Sequence, residues 1–160
     1  MMAKFKERSL KKMVRQETKN KSSSKKIIRL LGVPLAGATG RRKKAIARSW
    51  ARRGTGNIIV NGVECNEYFD TDTMRFNIMK PFKVCPIAKN YDFQINVFGG
   101  GKIGQSNAVK LAISRTLLTM EASVRSLLRQ SRLLTVDSRV KERKKYGQRG
   151  ARAKFQFVKR

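Results

Sequence analysis

Gly99, Gly101 and Gly104 stand at the spacing of a phosphate-binding turn, between an alternating run at 91–97 and helical periodicity from Gln105. A glycine-rich turn joining strand to helix can bring backbone amides against a pyrophosphate, which is the chemistry of a dinucleotide site. Such a site also needs a second parallel strand after the helix, with an acidic residue about twenty positions on to hold a ribose. Glu121 lies near that distance but falls in the next helical pattern. A Walker phosphate loop is excluded, because Gln105 follows Gly104 where lysine is required. Otherwise Gly99, Gly100, Gly101, Gly104 and Gln105 read as a structural loop, in which glycine permits a tight reversal and close helix–strand packing.

Other reactive constellations are scarce. The chain has no histidine, which removes the usual general base, nucleophile activator and zinc ligand. Asp70 and Asp72 form the only close carboxylate pair, and Asp72-Thr73-Met74-Arg75 reads as a helix start, not an acid/base site. Cys65 and Cys85 have no second CxxC or histidine near them and read as reduced core thiols. The expectation is no enzymatic activity, no metal and no cofactor.

Charge points elsewhere. Thirty-eight Lys and Arg against ten Asp and Glu leave a net +28 in 160 residues, a chain that repels itself unless a polyanion neutralises it. Residues 54–100 hold four bases and five acids, whereas residues 137–160 hold ten bases and two acids. A nearly neutral body with basic extensions favours a nucleic acid partner over an evenly solvated surface or an anionic membrane. No apolar run approaches the length needed to span a bilayer.

The elements that position these charges can be read in outline. Tyr91, Phe93, Ile95 and Val97 share one face of a strand, with Asp92, Gln94 and Asn96 on the other. Ala108, Val109, Ala112, Ile113, Leu117 and Met120 form one helical stripe, with Lys110, Ser114 and Arg115 on its polar flank. Residues 45–52 are expected as a first strand with Ile46 and Trp50 inward, paired through Gly54-Thr55-Gly56 with residues 57–60 as an antiparallel hairpin. Short helices are expected at 65–69 and 73–79, and an edge strand at 82–85 between Pro81 and Pro86. A last helix is expected at 121–129 with Val124, Leu127 and Leu128 inward, and Leu133-Leu134 closing the core.

Three regions result: a basic N-terminal extension at 1–38, a globular domain at 39–136 and a basic tail at 137–160. The extension holds eleven bases and two acids and reads as an RNA-binding arm, flexible when alone. A transit peptide is the competing reading, weakened by Glu7, Glu17 and an excess of Lys over Arg. Arg41, Arg42, Lys43 and Lys44 form a basic cluster ahead of the first strand and are all four expected to hold RNA. In the tail, Arg139, Arg143, Lys144, Lys145, Arg149, Arg152 and Lys154 can neutralise phosphates, while Tyr146, Phe155 and Phe157 can stack on unpaired bases. The competing arrangement folds Phe155 and Phe157 back onto the core.

Three motifs carry a family resemblance: 39–48 (TGRRKKAIAR), Gly99-Gly100-Gly101-x-x-Gly104-Gln105-x-x-Ala108 with Arg115, and 137–147 (DSRVKERKKYG). In order and spacing the chain resembles small-subunit ribosomal protein nine of bacteria and organelles, over about residues 38–160. The resemblance implies an α/β (α+β) fold like the second domain of small-subunit ribosomal protein five, with helices on one face of a four-stranded sheet. It implies a non-enzymatic place in the head of the small subunit, on a ribosome in the bacterial cytoplasm or an organellar matrix. Implied partners are small-subunit ribosomal RNA, neighbouring head proteins and the peptidyl-site transfer RNA, approached by Lys159 and Arg160. The chain departs from the family's usual serine at Val158, its frequent proline at Phe155 and its usual alanine at Thr116, the last a change expected to be absorbed by packing.

Overall fold

The computed structural model describes residues 33–157. The N-terminal extension up to residue 32 and the terminal Val158, Lys159 and Arg160 lie outside the described residues. The chain runs through β1 (Ala36–Arg42), β2 (Ala45–Arg53), β3 (Ile58–Val60), β4 (Val63–Glu64), α1 (Cys65–Tyr68), α2 (Asp72–Val84), β5 (Tyr91–Phe98), α3 (Lys102–Met120) and α4 (Arg125–Gln130). The mixed α/β class holds, but the sheet has five strands where four are expected, in the order β1-β2-β5-β3-β4.

Two strands are unexpected, the two-residue β4 and β1, whose Ala36-Gly37-Ala38-Thr39-Gly40 carries no apolar alternation to announce it. Small residues are what the position demands. A Cβ on Gly40 would collide with the carbonyl of Ala108 and the amide of Ala112 on α3, so helix and strand meet backbone to backbone. The same closeness sets the inward face of β2. Ala45, Ala47, Ser49 and Ala51 are buried against α3, and Ile46 and Trp50 stand on the opposite face, the reverse of the expected parity. Where a helix axis presses this near, only methyl-sized side chains fit, and the larger residues are displaced to the open side.

The expected hairpin of residues 45–52 with 57–60 does not form. β2 pairs antiparallel with β1 and β5, and β3 lies parallel to β5 on its far side. Gly54-Thr55-Gly56 therefore steps the chain across the start of β5 instead of reversing it. Asp92 fixes that step, its Oδ1 accepting from the amides of Thr55 at 2.9 Å, Gly56 at 2.9 Å and Asn57 at 2.8 Å.

β5 keeps its expected face, with Phe93, Ile95 and Val97 buried. The stripe of α3 is buried through Ala108, Val109, Ala112, Ile113 and Leu117, and Ser114 joins the core, its hydroxyl donating to the Lys110 carbonyl at 2.9 Å. Residues 82–85 are not an edge strand. They end α2, which accommodates Pro81 because Ile78 and Phe82, four apart, anchor it inward, and Phe82 meets Phe93 edge to face at 5.3 Å. The helix start at Asp72 holds, although Asp72 pairs with Arg75 at 3.0 Å and caps no amide. Beyond α3, a 3-10 turn at Ala122–Val124 precedes α4, so Val124 and Leu128 face inward while Leu127 is rotated to the surface. Leu133 is buried and closes the core. Cys65 and Cys85 are buried free thiols, and burial pushes the Cys65 thiol up to about 11.

Candidate nucleic-acid interface

The first basic cluster sits at the β1–β2 turn. Arg42 pairs with Ala45 in the ladder, so Lys43 and Lys44 occupy a two-residue reversal, with Lys43 in the left-handed region at φ 54. Arg41, Lys43 and Lys44 are exposed. The glycine loop after β5 packs beneath this turn. A Cβ on Gly99, whose φ is +73, would strike the Lys44 carbonyl, and one on Gly100 would lie 3.0 Å from the Ala45 amide. Gln105 secures the loop by donating to the Gly99 carbonyl at 3.2 Å and accepting from the Tyr68 hydroxyl at 3.1 Å. No strand follows α3 among the described residues, so a dinucleotide site lacks its second parallel strand. These glycines work as a packing device that sets the height of the basic turn.

Arg42 behaves differently from its neighbours. Its Nη2 lies 2.9 Å from the Asp137 carboxylate, its side chain is only 15% exposed, and its Nη1 donates to the carbonyls of Asp137 and Arg139. The root of the tail is thereby clipped to the basic turn. Asp137 is also gripped by Arg139, whose Nη2 approaches to 2.8 Å and whose backbone amide donates at 3.0 Å. The Arg139 hydrogen bonds, followed by its charge and that of Arg42, hold the Asp137 carboxyl well below the usual carboxylate range. Arg115 donates to the Thr39 carbonyl at 2.8 Å and ties α3 to β1 just before the cluster.

Beyond the clip the tail is irregular and basic. Its other acid, Glu142, is paired with Arg152, which lowers the carboxyl from its ordinary value and closes a loop around Gly147. Within that loop the amide of Arg149 donates to the Ala153 carbonyl at 2.9 Å. Arg143, Lys144, Arg149 and Lys154 are exposed, and Lys145 is half-buried. Tyr146, Phe155 and Phe157 are exposed rings outside the core cluster, so the fold-back arrangement is not adopted by the described residues. With both acids matched to arginines, most of the remaining cations face solvent, where a polyanion could reach them. Among the described residues, no group of histidine, cysteine, aspartate or glutamate is placed to hold a metal ion, and no helix is long and apolar enough to cross a membrane.

Sequence reasoning found the two cationic clusters and missed what joins them. Asp137 and Asp92 are the organising carboxylates, and neither spacing nor composition marks them. Asn61 was also missed. At φ 50 its side-chain amide bonds to the Val97 backbone as a strand would, Oδ1 accepting from the amide at 2.8 Å and Nδ2 donating to the carbonyl at 2.9 Å.

The family described as ribosomal protein S9/S16 matches residues 40–160. The chain belongs to this family. It is 48% identical to the small ribosomal subunit protein uS9 of Maridesulfovibrio salexigens, over 77% of this chain and 95% of the relative. It is 51% identical to the uS9 of Desulfotalea psychrophila, with the same shares covered, and 47% identical to that of Methylacidiphilum infernorum, over 77% of this chain and 90% of the relative. As a member of the S9/S16 family the chain is a structural ribosomal protein and not an enzyme. The S9/S16 match begins at Gly40, the contact point of β1 with α3, and takes in the basic turn, the glycine loop and the whole tail.

Proposed function

We propose that this chain is a structural constituent of the small ribosomal subunit, seated in its head, with a globular body at 39–136 that aims a basic extension at 1–38 and a basic tail at 137–160 into ribosomal RNA. Arg41, Lys43 and Lys44 contact phosphates from the β1–β2 turn. Arg139, Arg143, Lys144, Lys145, Arg149, Arg152 and Lys154 do so along the tail, where RNA displaces the weak exposed pairs of Arg139 and Arg152. Lys159 and Arg160 reach the peptidyl-site transfer RNA, and the less charged surfaces meet neighbouring head proteins. The observation that carries this reading is the Arg42–Asp137 clip, which launches the tail from the same corner that holds the basic turn. Two cationic segments from opposite ends of the domain thus converge on one polyanion.

The test is assembly. Full-length protein added to small-subunit particles reconstituted without it should cosediment stoichiometrically and stay bound through a high-salt wash. Release by that wash, with binding to free RNA retained, would instead describe an RNA chaperone.

A further inference from the structure

The face of the sheet opposite the helices carries side chains that the fold does not use. Register places Arg41, Ile46 and Phe98 in one row, Thr39, Arg48 and Asn96 in the next, and Gly37, Trp50, Gln94, Ile59 and Glu64 in a third. Trp50, Ile46, Ile59 and Phe98 lie outside the core cluster and its packed neighbours, and Phe98 is about half exposed.

Trp50 is seated there in a particular way. Its cross-strand partner is Gly37, and a Cβ on that glycine would come within 3.0 Å of the indole Cδ1, so the ring lies down across the bare backbone of β1. Laid against the sheet, an indole presents a flat apolar surface to whatever approaches from solvent. Arg48 on the same strand is exposed, and Arg52 beyond Trp50 donates to Gln94 Oε1 at 2.8 Å, which aligns that amide beside the ring. Of the two carboxylates that the strands place on this face, Asp92 is held by the three amides of residues 55–57, and Glu64 stands on β4, three strands away from Trp50.

We infer that this open face is a further RNA-binding surface, on which an unpaired nucleotide stacks on Trp50 while Arg41 and Arg48 hold the flanking phosphates. The inference rests on the ribosomal RNA reading given above and adds a site to it. Two features favour RNA over a protein neighbour. An indole flanked by guanidinium groups and amides, with Glu64 at the far edge of the sheet, matches the stacking, phosphate and base-edge groups of a single-stranded nucleotide. Arg41 also belongs both to the β1–β2 turn and to this face, so the basic surface is continuous around the edge of β1.

Trp50 is the only tryptophan in the chain, which makes the face its own reporter. Full-length protein is titrated with small-subunit ribosomal RNA and, separately, with heparin, a polyanion without bases. Binding is read by filter retention, and Trp50 by its emission and its quenching by acrylamide. Ribosomal RNA should quench Trp50 and shield it from acrylamide, whereas heparin should bind the tail and leave the indole accessible. Arg48→Ala should weaken ribosomal RNA binding severalfold and lower the salt slope by about one. Trp50→Phe should retain most of the affinity, and Trp50→Ala should lose about tenfold. Retained RNA binding with Trp50 still accessible would overturn the inference and leave the broader reading standing. Shielding already present in the free chain, or appearing only when small-subunit proteins are added, would also overturn it, in favour of the chain's own N-terminal segment or a protein partner. Absence of filter retention would defeat the RNA reading itself.

Discussion

Arg42 and Asp137, 95 positions apart in sequence, meet at 2.9 Å and fix where the globular body ends and the basic tail begins. Because Arg42 also donates to two tail carbonyls, the contact constrains the path of the chain as well as pairing charge. Arg42→Ala and Asp137→Asn are each expected to raise the rate of limited proteolysis around residues 136–143 severalfold, with little change in the thermal unfolding of the body. The clip should also be robust to acid. A carboxylate whose pKa is depressed on folding adds stability above its unfolded value, about 4, and loses it as pH falls through the lower folded value. The tail root should keep its protection from pH 7 down to about 4 and become cleavable only below that. Opening between pH 7 and 5 would contradict the geometry.

Gly40 is the point of closest approach between sheet and helix. Gly40→Ala places a methyl group against the Ala108 carbonyl and the Ala112 amide, both fixed backbone, so the helix must move outward. The expected cost is about 1–3 kcal/mol or more in chemical denaturation, the range of an overpacked core. Gly101→Ala, where a Cβ meets nothing within 4 Å, should be close to neutral and serves as the control.

Thr116 is fully buried, and its hydroxyl does more than pack. It donates to the Ala112 carbonyl at 3.0 Å and adjoins the buried hydroxyl of Ser49, linking α3 to β2. The two residues should respond unequally. Ser49→Ala leaves Thr116 with its helix carbonyl and should be mild. Thr116→Ala leaves Ser49 with only a long 3.4 Å contact to the Ala38 carbonyl and should cost about 1–2 kcal/mol. Adding Ser49→Ala to Thr116→Ala should then recover part of the loss, and an additive double mutant would refute the pairing.

Removing Lys159 and Arg160 should leave assembly into the small subunit nearly intact while weakening peptidyl-site transfer RNA binding. In the proposed arrangement only this tip reaches that ligand, and the rest of the tail holds ribosomal RNA. Unchanged transfer RNA affinity in such particles would reassign the tip.

The parts of the fold legible in sequence were those with strict periods. β5 alternates over 91–97 and α3 repeats its apolar stripe, so both elements and their buried faces could be read before the structure. β1 could not, because Ala, Thr and Gly are chosen there for the space a close helix leaves and give no alternation. The path after β2 was hidden for another reason. Gly54-Thr55-Gly56 has the composition of a hairpin turn, and what makes it a crossing is Asp92, 37 positions from Thr55. The cationic clusters were visible as runs of Lys and Arg. That Arg42 is drawn into the fold while Arg41, Lys43 and Lys44 remain outside depends on a distant carboxylate, which local sequence cannot show.

That division of labour offers the most direct measurement. The affinity of the full-length protein for small-subunit ribosomal RNA is followed against salt for the native chain, for Arg41→Ala/Lys43→Ala/Lys44→Ala, and for Arg42→Ala. The triple variant should lower the slope of log affinity against log salt by about three, one for each lost phosphate contact. Arg42→Ala should leave the slope nearly unchanged and weaken binding by loosening the tail. Equal slope losses per residue from all four positions, or an unaltered slope in the triple variant, would contradict the account.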